Sequence, residues 1–414
     1  MNRVGTPRTA AVAALLFAFS LAVCLLFVFA YPLPDAKSDA AGYLTLARNV
    51  AGGAGFTQDG VSPMVYRPPL FSVLLGAWFR LTGTASVLSA AVFQSVVHAL
   101  GVAAAFGLFL EILPSLAWAG GAALFLSVNP LLVTRTVFVL QEPTLLLFTT
   151  LAAWMTVRLL QLPSPARAAL SGAAWGVCTL GKAVAWFAPF LLLAMRFLPV
   201  RLRWSWRGKE AAALLFCFAA AIAPWTVRNF LLLDRFVPVN AQGEGMLEWN
   251  VKNAEIPGEP SGRRVFDDIN RTMHRPEDRR AAFREYIASH PRYFLVDRVI
   301  RNAIRFAAPP RDWWIARGDF RPGERRTGFW ILAILFHIPL YLFLLVRTWQ
   351  WGRGRAAPAF GFLLLFYWVY WAEHALVWGD PRFGLAAYPL LVGMVLPLAG
   401  PGGRSTGAAD RTGG

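Results

Sequence analysis

The chain has 414 residues, 57% of them hydrophobic, with many apolar runs near the ~20 residues that cross a bilayer. Its 40 Lys+Arg against 23 Asp+Glu give a formal charge of +17, but in so apolar a chain basic residues report topology and lipid headgroups first. There is no helix-turn-helix, RNA-binding or zinc-finger pattern, which argues against a nucleic-acid partner, and Cys24, Cys178 and Cys217 lie singly in apolar runs without metal-ligand spacing.

Arg3 and Arg8 precede an apolar run from Val12 to Ala30 that exceeds the ~7–15 residues of a signal-peptide core, which predicts an uncleaved anchor. The next stretch, Asp35 to Leu70, carries Asp35, Asp39, Arg48, Asp59 and Arg67 beside a glycine cluster. A plain connector does not need that equipment. Ser38 is placed as an N-cap, and Tyr43, Leu46, Ala47 and Val50 recur at the spacing of a short amphipathic helix that Gly52-Gly53 would end. Asp39 then falls in the first turn, on the face of Tyr43, where the helix dipole favours the charged carboxylate. Two readings stay open for Asp39, a helix cap or a general base. The apolar stretch from Pro68 to Leu81 covers only ~20 Å as a helix and reads as interfacial or re-entrant.

Apolar length and flanking charge place ten spans, near 11–30, 85–111, 115–132, 142–160, 167–181, 183–199, 210–230, 327–346, 356–377 and 384–400. With the N-terminus cytoplasmic, Arg158 and Arg167, the basic run from Arg201 to Lys209, Arg347 with Arg353 and Arg355, and Arg404 with Arg411 all fall inside, as the positive-inside rule asks. The fold class that follows is an all-α polytopic membrane protein in four parts. These are a membrane module at 1–230 whose first external loop is 31–84, an external domain at 231–326, membrane helices at 327–400, and a disordered cytoplasmic tail at 401–414. Within the external domain, Leu295, Val299, Ala303 and Phe306 alternate with Arg298, Arg301 and Arg305. That pattern predicts a helix with its basic face on lipid phosphates or, equally, a solvated charged face.

Asp39, Arg67, Glu142, Lys182, Arg228, Glu373, His374, Asp380 and Arg382 all fall at the outer ends of spans. Charge beside apolar segments is costly and marks function by default, although snorkelling also explains an end position. Glu142 precedes Pro143 at a span start, as a cap or a functional acid. Lys182 suits pairing with an acid, a bound phosphate or plain snorkelling, and Arg228 and Arg382 suit either lipid headgroups or a bound phosphate. As a set they describe a base, phosphate-binding cations and a hydrophobic bundle, which a lipid-phosphate substrate would use together.

The motifs SDAAGYLTLARNVAGGAGF, YRPPLFSVLLGAWFRLTG, QEPTLLLFTTLAAW, GAAWGVCTLGKAVAWFAPFLLL, APWTVRNFLLLDRFVPVNAQGEGMLEWN and GDPRFGLAAYPLL occur in this order. In that order and spacing the chain resembles the GT-C superfamily of membrane glycosyltransferases, especially relatives of the dolichyl-phosphate-mannose protein mannosyltransferases and of the lipid A aminoarabinose transferase. The resemblance implies a GT-C type helical bundle, a polyprenyl-phosphate sugar donor, and an active site facing outside the cytoplasm. It implies a catalytic acid at Asp39 and a second at Glu142, with Arg67, Lys182, Arg228 and Arg382 as contacts to donor phosphate. Tyr43, on the Asp39 face, joins the substrate-binding set. Many relatives carry another acid where this chain has Ala40, which argues for transfer without a metal or other cofactor. The expectation is an inner-membrane transferase moving a sugar, with inversion, to a protein, lipid or glycan acceptor. A transporter or flippase for a lipid-linked or anionic solute is the alternative. It calls for repeats and midplane charges that the sequence does not display.

Overall fold

The computed structural model describes residues 5–31, 33–197, 208–309, 335–353 and 358–396. The predicted tail and most of the basic run between Arg201 and Lys209 lie outside them. Helix α1 (Pro7–Ala30) leads into two short helices, α2 (Asp39–Ala51) and α3 (Leu70–Thr82). Then follow α4 (Val87–Ile112), α5 (Leu116–Val128), α6 (Pro130–Val133), α7 (Glu142–Gln161), α8 (Pro165–Gly181), α9 (Ala188–Ala194) and α10 (Gly208–Leu233). A helical segment outside the bundle holds α11 (Met246–Lys252), α12 (Gly262–Thr272), α13 (Pro276–Ser289) and α14 (Arg298–Ala307). The chain closes with α15 (Ile338–Gly352), α16 (Pro358–Leu376) and α17 (Tyr388–Val395). Among the described residues no strand forms, and only an isolated bridge joins Thr57 to Pro63.

Among the described residues five helices, α1, α4, α7, α10 and α16, are long and apolar enough to cross a bilayer. A sixth arises if Leu116–Val128 and Pro130–Thr136, bent by 50°, count as one span. The bend falls where Pro130 removes a backbone donor and the Asn129 side chain accepts from the Leu131 N–H at 2.9 Å, restarting the helix. The sequence predicts ten spans. The difference lies in short pieces: α8 has 17 residues, about 25 Å, α9 has 7, and the predicted spans at 327–346 and 384–400 are only partly described.

The bundle is organised around α4 and α7, whose apolar windows are 78% and 67% buried, whereas α1 and α10 bury only 22% and 17% and turn most of their surface outward. Small residues bring the helices together. A Cβ at Gly101 of α4 would lie 2.5 Å from the Leu146 side chain of α7. Gly172 and Gly176 of α8, four residues apart, face α10 in the same way: a Cβ would run into the Leu214 carbonyl at the first and come within 2.8 Å of the Phe218 carbonyl at the second.

The first loop is built as its pattern predicts. The Tyr43, Leu46 and Ala47 side chains of α2 are buried, Tyr43 and Ala47 pack with Phe71 and Leu75 of α3 and Phe93 and Val97 of α4, and Gly52 caps the helix end. Ser38 occupies the N-cap with φ 50° and makes no side-chain cap bond. Outside the bundle, Val251, Ala254, Phe283, Tyr293 and Phe294 form a small core of their own. Helix α14 buries Asn302 and Phe306, and two of its three patterned arginines make contacts within the protein, while Arg305 stays exposed. Arg298 donates to the Leu376 and Val377 carbonyls at the end of α16, at 2.7 and 3.0 Å, and Arg301 donates to Glu255 at 2.7 Å. Val296, Ile300 and Ile304 are exposed instead.

Candidate active site

Asp39 is the first residue of α2, and its carboxylate projects from the start of the helix with the side chain 44% exposed. Arg67 reaches it from the turn before α3, with Nη2 3.2 Å from Oδ1. Arg382 reaches it from the other end of the chain, 343 residues away, with Nη2 2.9 Å from Oδ2. Each carboxylate oxygen therefore accepts from a separate guanidinium.

Both arginines are positioned by further contacts. The Arg67 guanidinium lies 4.6 Å from the centre of the Tyr43 ring, and its loop is pinned by the Ala241 N–H donating to the Val65 carbonyl and by Asn240 donating to the Tyr66 carbonyl. Gly42 makes room for it, because a Cβ there would come within 2.8 Å of Arg67 Nη2. Arg382 follows a tight turn in which its own N–H donates to Asp380 Oδ1 at 3.0 Å. Its Nε lies 3.5 Å from Asp380 Oδ1 and 3.7 Å from Glu142 Oε1. The turn itself is braced where Gly379 packs directly on the Asn302 carbonyl of α14.

Glu142, the first residue of α7, is 4% exposed and lies behind Arg382. Lys182, the residue that breaks the chain between α8 and α9, holds its Nζ 3.3 Å from the centre of the Phe383 ring, buried and without a hydrogen bond, within electrostatic reach of Glu142, Asp380 and Glu373. A cavity of about 10 Å³, at the lower limit for one water, lies on the other side of Glu142 and is lined by His98 and Arg135 among apolar side chains.

Burial opposes the charge on Asp39, but the hydrogen bond and charge of Arg382, and then those of Arg67, outweigh it and hold the carboxyl below its ordinary range. Burial likewise works against Arg382, while Glu142 first, then Asp380 and Asp39, more than restore its charge. For Tyr43 burial dominates and pushes the phenol up to about 12. A carboxyl depressed in the folded chain stabilises it above its unfolded value, and that contribution is lost as pH falls through the folded one. The difference in Tm between the wild type and Asp39→Asn is expected to stay constant above about pH 5 and to shrink below about pH 4. Thermal unfolding across that range measures it.

Of the sequence-predicted residues, Asp39, Arg67, Glu142, Lys182 and Arg382 come together. Tyr43 is beneath them, 6% exposed, as the floor under Arg67. Arg228 makes its contacts elsewhere. Its guanidinium sits 4.4 Å from the Trp225 ring and donates to Asn229 and to the Phe56 carbonyl, where it braces the first loop. Arg135 and His98 escaped the sequence reading. Their signal was a charged or titratable residue inside an otherwise apolar run, in NPLLVTRTVFVLQEP for the arginine and SVVHALG for the histidine. Asp59 is structural, since it accepts from the Val61 and Ser62 N–H groups of its own turn. Among the described residues no three His, Cys, Asp or Glu side chains converge as metal ligands would.

The local geometry predicts the effect of filling the space beside Asp39. Gly42→Ala is expected to displace Arg67 from Asp39 and lower Tm, with the helical content unchanged, and thermal unfolding followed by circular dichroism checks it. No protein-family model matches the chain, and no curated protein is detectably similar to it.

Proposed function

We propose that this protein is an integral membrane glycosyltransferase that takes a sugar from a polyprenyl-phosphate carrier and passes it to an acceptor outside the cytoplasm. The observation that carries this reading is the meeting of Asp39 with Arg67 and Arg382, a half-exposed carboxylate and two guanidinium forks beside an apolar helix bundle. Two forks suit the two non-bridging oxygens of a phosphodiester, and the apolar bundle suits a long isoprenoid tail. Asp39, 44% exposed, is open enough to serve as a base that meets an acceptor.

In the step we propose, the acceptor O–H or N–H attacks the anomeric carbon from the face opposite the phosphate, so configuration inverts. Its proton goes to Asp39. The anomeric C–O bond breaks, and its electron pair stays on the phosphate oxygen, where Arg67, Arg382 and the buried Lys182 stabilise the new charge. Glu142 is assigned as a positioning residue that holds Arg382 from behind. Metal-independent transfer remains our reading, because Ala40 stands where a second acid would follow Asp39. The finer features, ten spans in a GT-C type bundle and an external site in the inner membrane, belong to the same proposal.

The test is a panel of radiolabelled polyprenyl-phosphate sugars given to the purified protein in lipid vesicles. Release of sugar, to water or an added acceptor, with free polyprenyl phosphate as the other product, is expected for one donor. Carrier crossing the vesicle uncleaved would replace the transferase with a flippase.

A further inference from the structure

The clamp on Asp39 poses a chemical problem for the role just given to it. A carboxylate that accepts a charge-assisted hydrogen bond on each oxygen is a weak base, because the same bonds that fix it must be broken before it takes a proton. The two forks are also already taken, with Arg67 on Asp39 and Arg382 shared among Asp39, Asp380 and Glu142. They have no place for a phosphate unless one acid gives way.

We propose that Asp39 occupies the seat of the substrate phosphate, and that a phosphate ester displaces it from Arg67 and Arg382 and so releases it to act as the base. Binding of the donor and activation of the base are then one event. This inference rests on the proposed transferase reading for its ligand, a lipid-linked phosphate ester.

Asp39 is the acid built to leave. Its side chain is 44% exposed, against 4% for Glu142 and 30% for Asp380. The arginines are held without it. Arg67 keeps the Tyr43 ring and the Gly42 recess, while Arg382 keeps Asp380, Glu142 and its own turn. The forks stay in place while the carboxylate that bridges them is replaced, so little reorganisation is needed at binding.

The backbone at Asp39 fits a residue with two positions. Ser38 stands at φ 50°, ψ −118°, a conformation L side chains rarely adopt, and it gives α2 no side-chain cap. Residues 33–37 before it are irregular. The strain sits one residue from the group that must move. A phosphate between two guanidinium groups recovers the contacts that Asp39 gives up, with the same two-oxygen geometry.

The experiment measures binding of farnesyl phosphate and, separately, of inorganic phosphate to the full chain in lipid nanodiscs, with no sugar present. Asp39→Asn is expected to bind farnesyl phosphate about tenfold more tightly than the wild type, because the internal competitor is gone. Arg67→Ala in that background is expected to abolish the gain. Inorganic phosphate gaining as much as the lipid would assign the seat to free phosphate. Equal or weaker binding by Asp39→Asn overturns the proposal. A measurement on the wild type guards against a variant that fails to fold: with isotope-labelled aspartate, farnesyl phosphate should shift a carboxylate infrared band that Asp39→Asn lacks, and an unshifted band also overturns it. Tighter binding without transfer by the wild type would keep this inference and sink the transferase. Transfer lost in Asp39→Asn without tighter binding would do the reverse.

Discussion

Asp39→Asn is expected to lower the rate of sugar transfer by ~10²–10⁴-fold, the usual loss when a general base is removed, while the donor KM holds steady or falls. The two parameters separate the roles of the residue. Asparagine keeps the shape and hydrogen-bonding reach of the side chain but neither takes a proton nor neutralises Arg67 and Arg382. A residue that only capped α2 would leave kcat near its wild-type value, because asparagine caps helices as well as aspartate does. Steady-state kinetics on the donor identified by the panel decide between them. Undiminished kcat assigns Asp39 to structure.

Arg382→Ala is expected to cost both activity and stability. The guanidinium joins Asp39, Asp380 and Glu142, and Glu142 is 4% exposed, so alanine leaves a buried carboxylate without the guanidinium 3.7 Å from it. Breaking a buried pair from one side typically destabilises by about 3–5 kcal/mol. Adding Glu142→Gln should return much of that loss in Tm without returning activity, because the uncompensated charge is removed but the fork is still missing. Arg382→Lys should keep more stability than alanine and little transfer, since a single ammonium cannot hold Asp39, Asp380 and Glu142 at once. Thermal unfolding and donor turnover, measured on the same preparations, separate the two effects. Full stability in Arg382→Ala would show that Glu142 finds another cation.

Helix type and most long boundaries could be read from the sequence because burial in a bundle leaves an apolar run with charged ends. The run expected at 142–160 is α7, Glu142–Gln161, and that at 85–111 is α4, Val87–Ile112. The amphipathic stripe of Tyr43, Leu46 and Ala47 marked α2 for the same reason. The bend at Asn129-Pro130 was signalled by its dipeptide, but an apolar run read by length alone passes over it. Small residues such as Gly42, Gly172 and Gly379 matter through what approaches them, and a single sequence does not say which carbonyl or guanidinium that is.

The site was legible as a set and not as a geometry. Charged residues at span ends are conspicuous, so Asp39, Arg67, Glu142, Lys182 and Arg382 stood out, yet the pattern gave no sign that Asp39 would be bridged by two arginines. That contact joins residues 343 positions apart, beyond any periodicity. Arg228 carried the same signal and makes different contacts, because a span-end arginine serves equally well to brace a loop on Trp225 and Phe56. Arg298 and Arg301 belong to a face that the pattern left open between lipid and solvent, and they clasp the Leu376 and Val377 carbonyls and Glu255. Helical spacing tells which residues share a face and is silent on what that face meets.

The most direct test is to locate the phosphate, by determining the structure of the full chain in nanodiscs with farnesyl phosphate bound. The phosphorus is expected between Arg67 and Arg382, within hydrogen-bond reach of both guanidinium groups, with the isoprenoid tail along the apolar bundle and Asp39 turned away from both arginines. A phosphate bound elsewhere, with Asp39 still joined to both arginines, would contradict it.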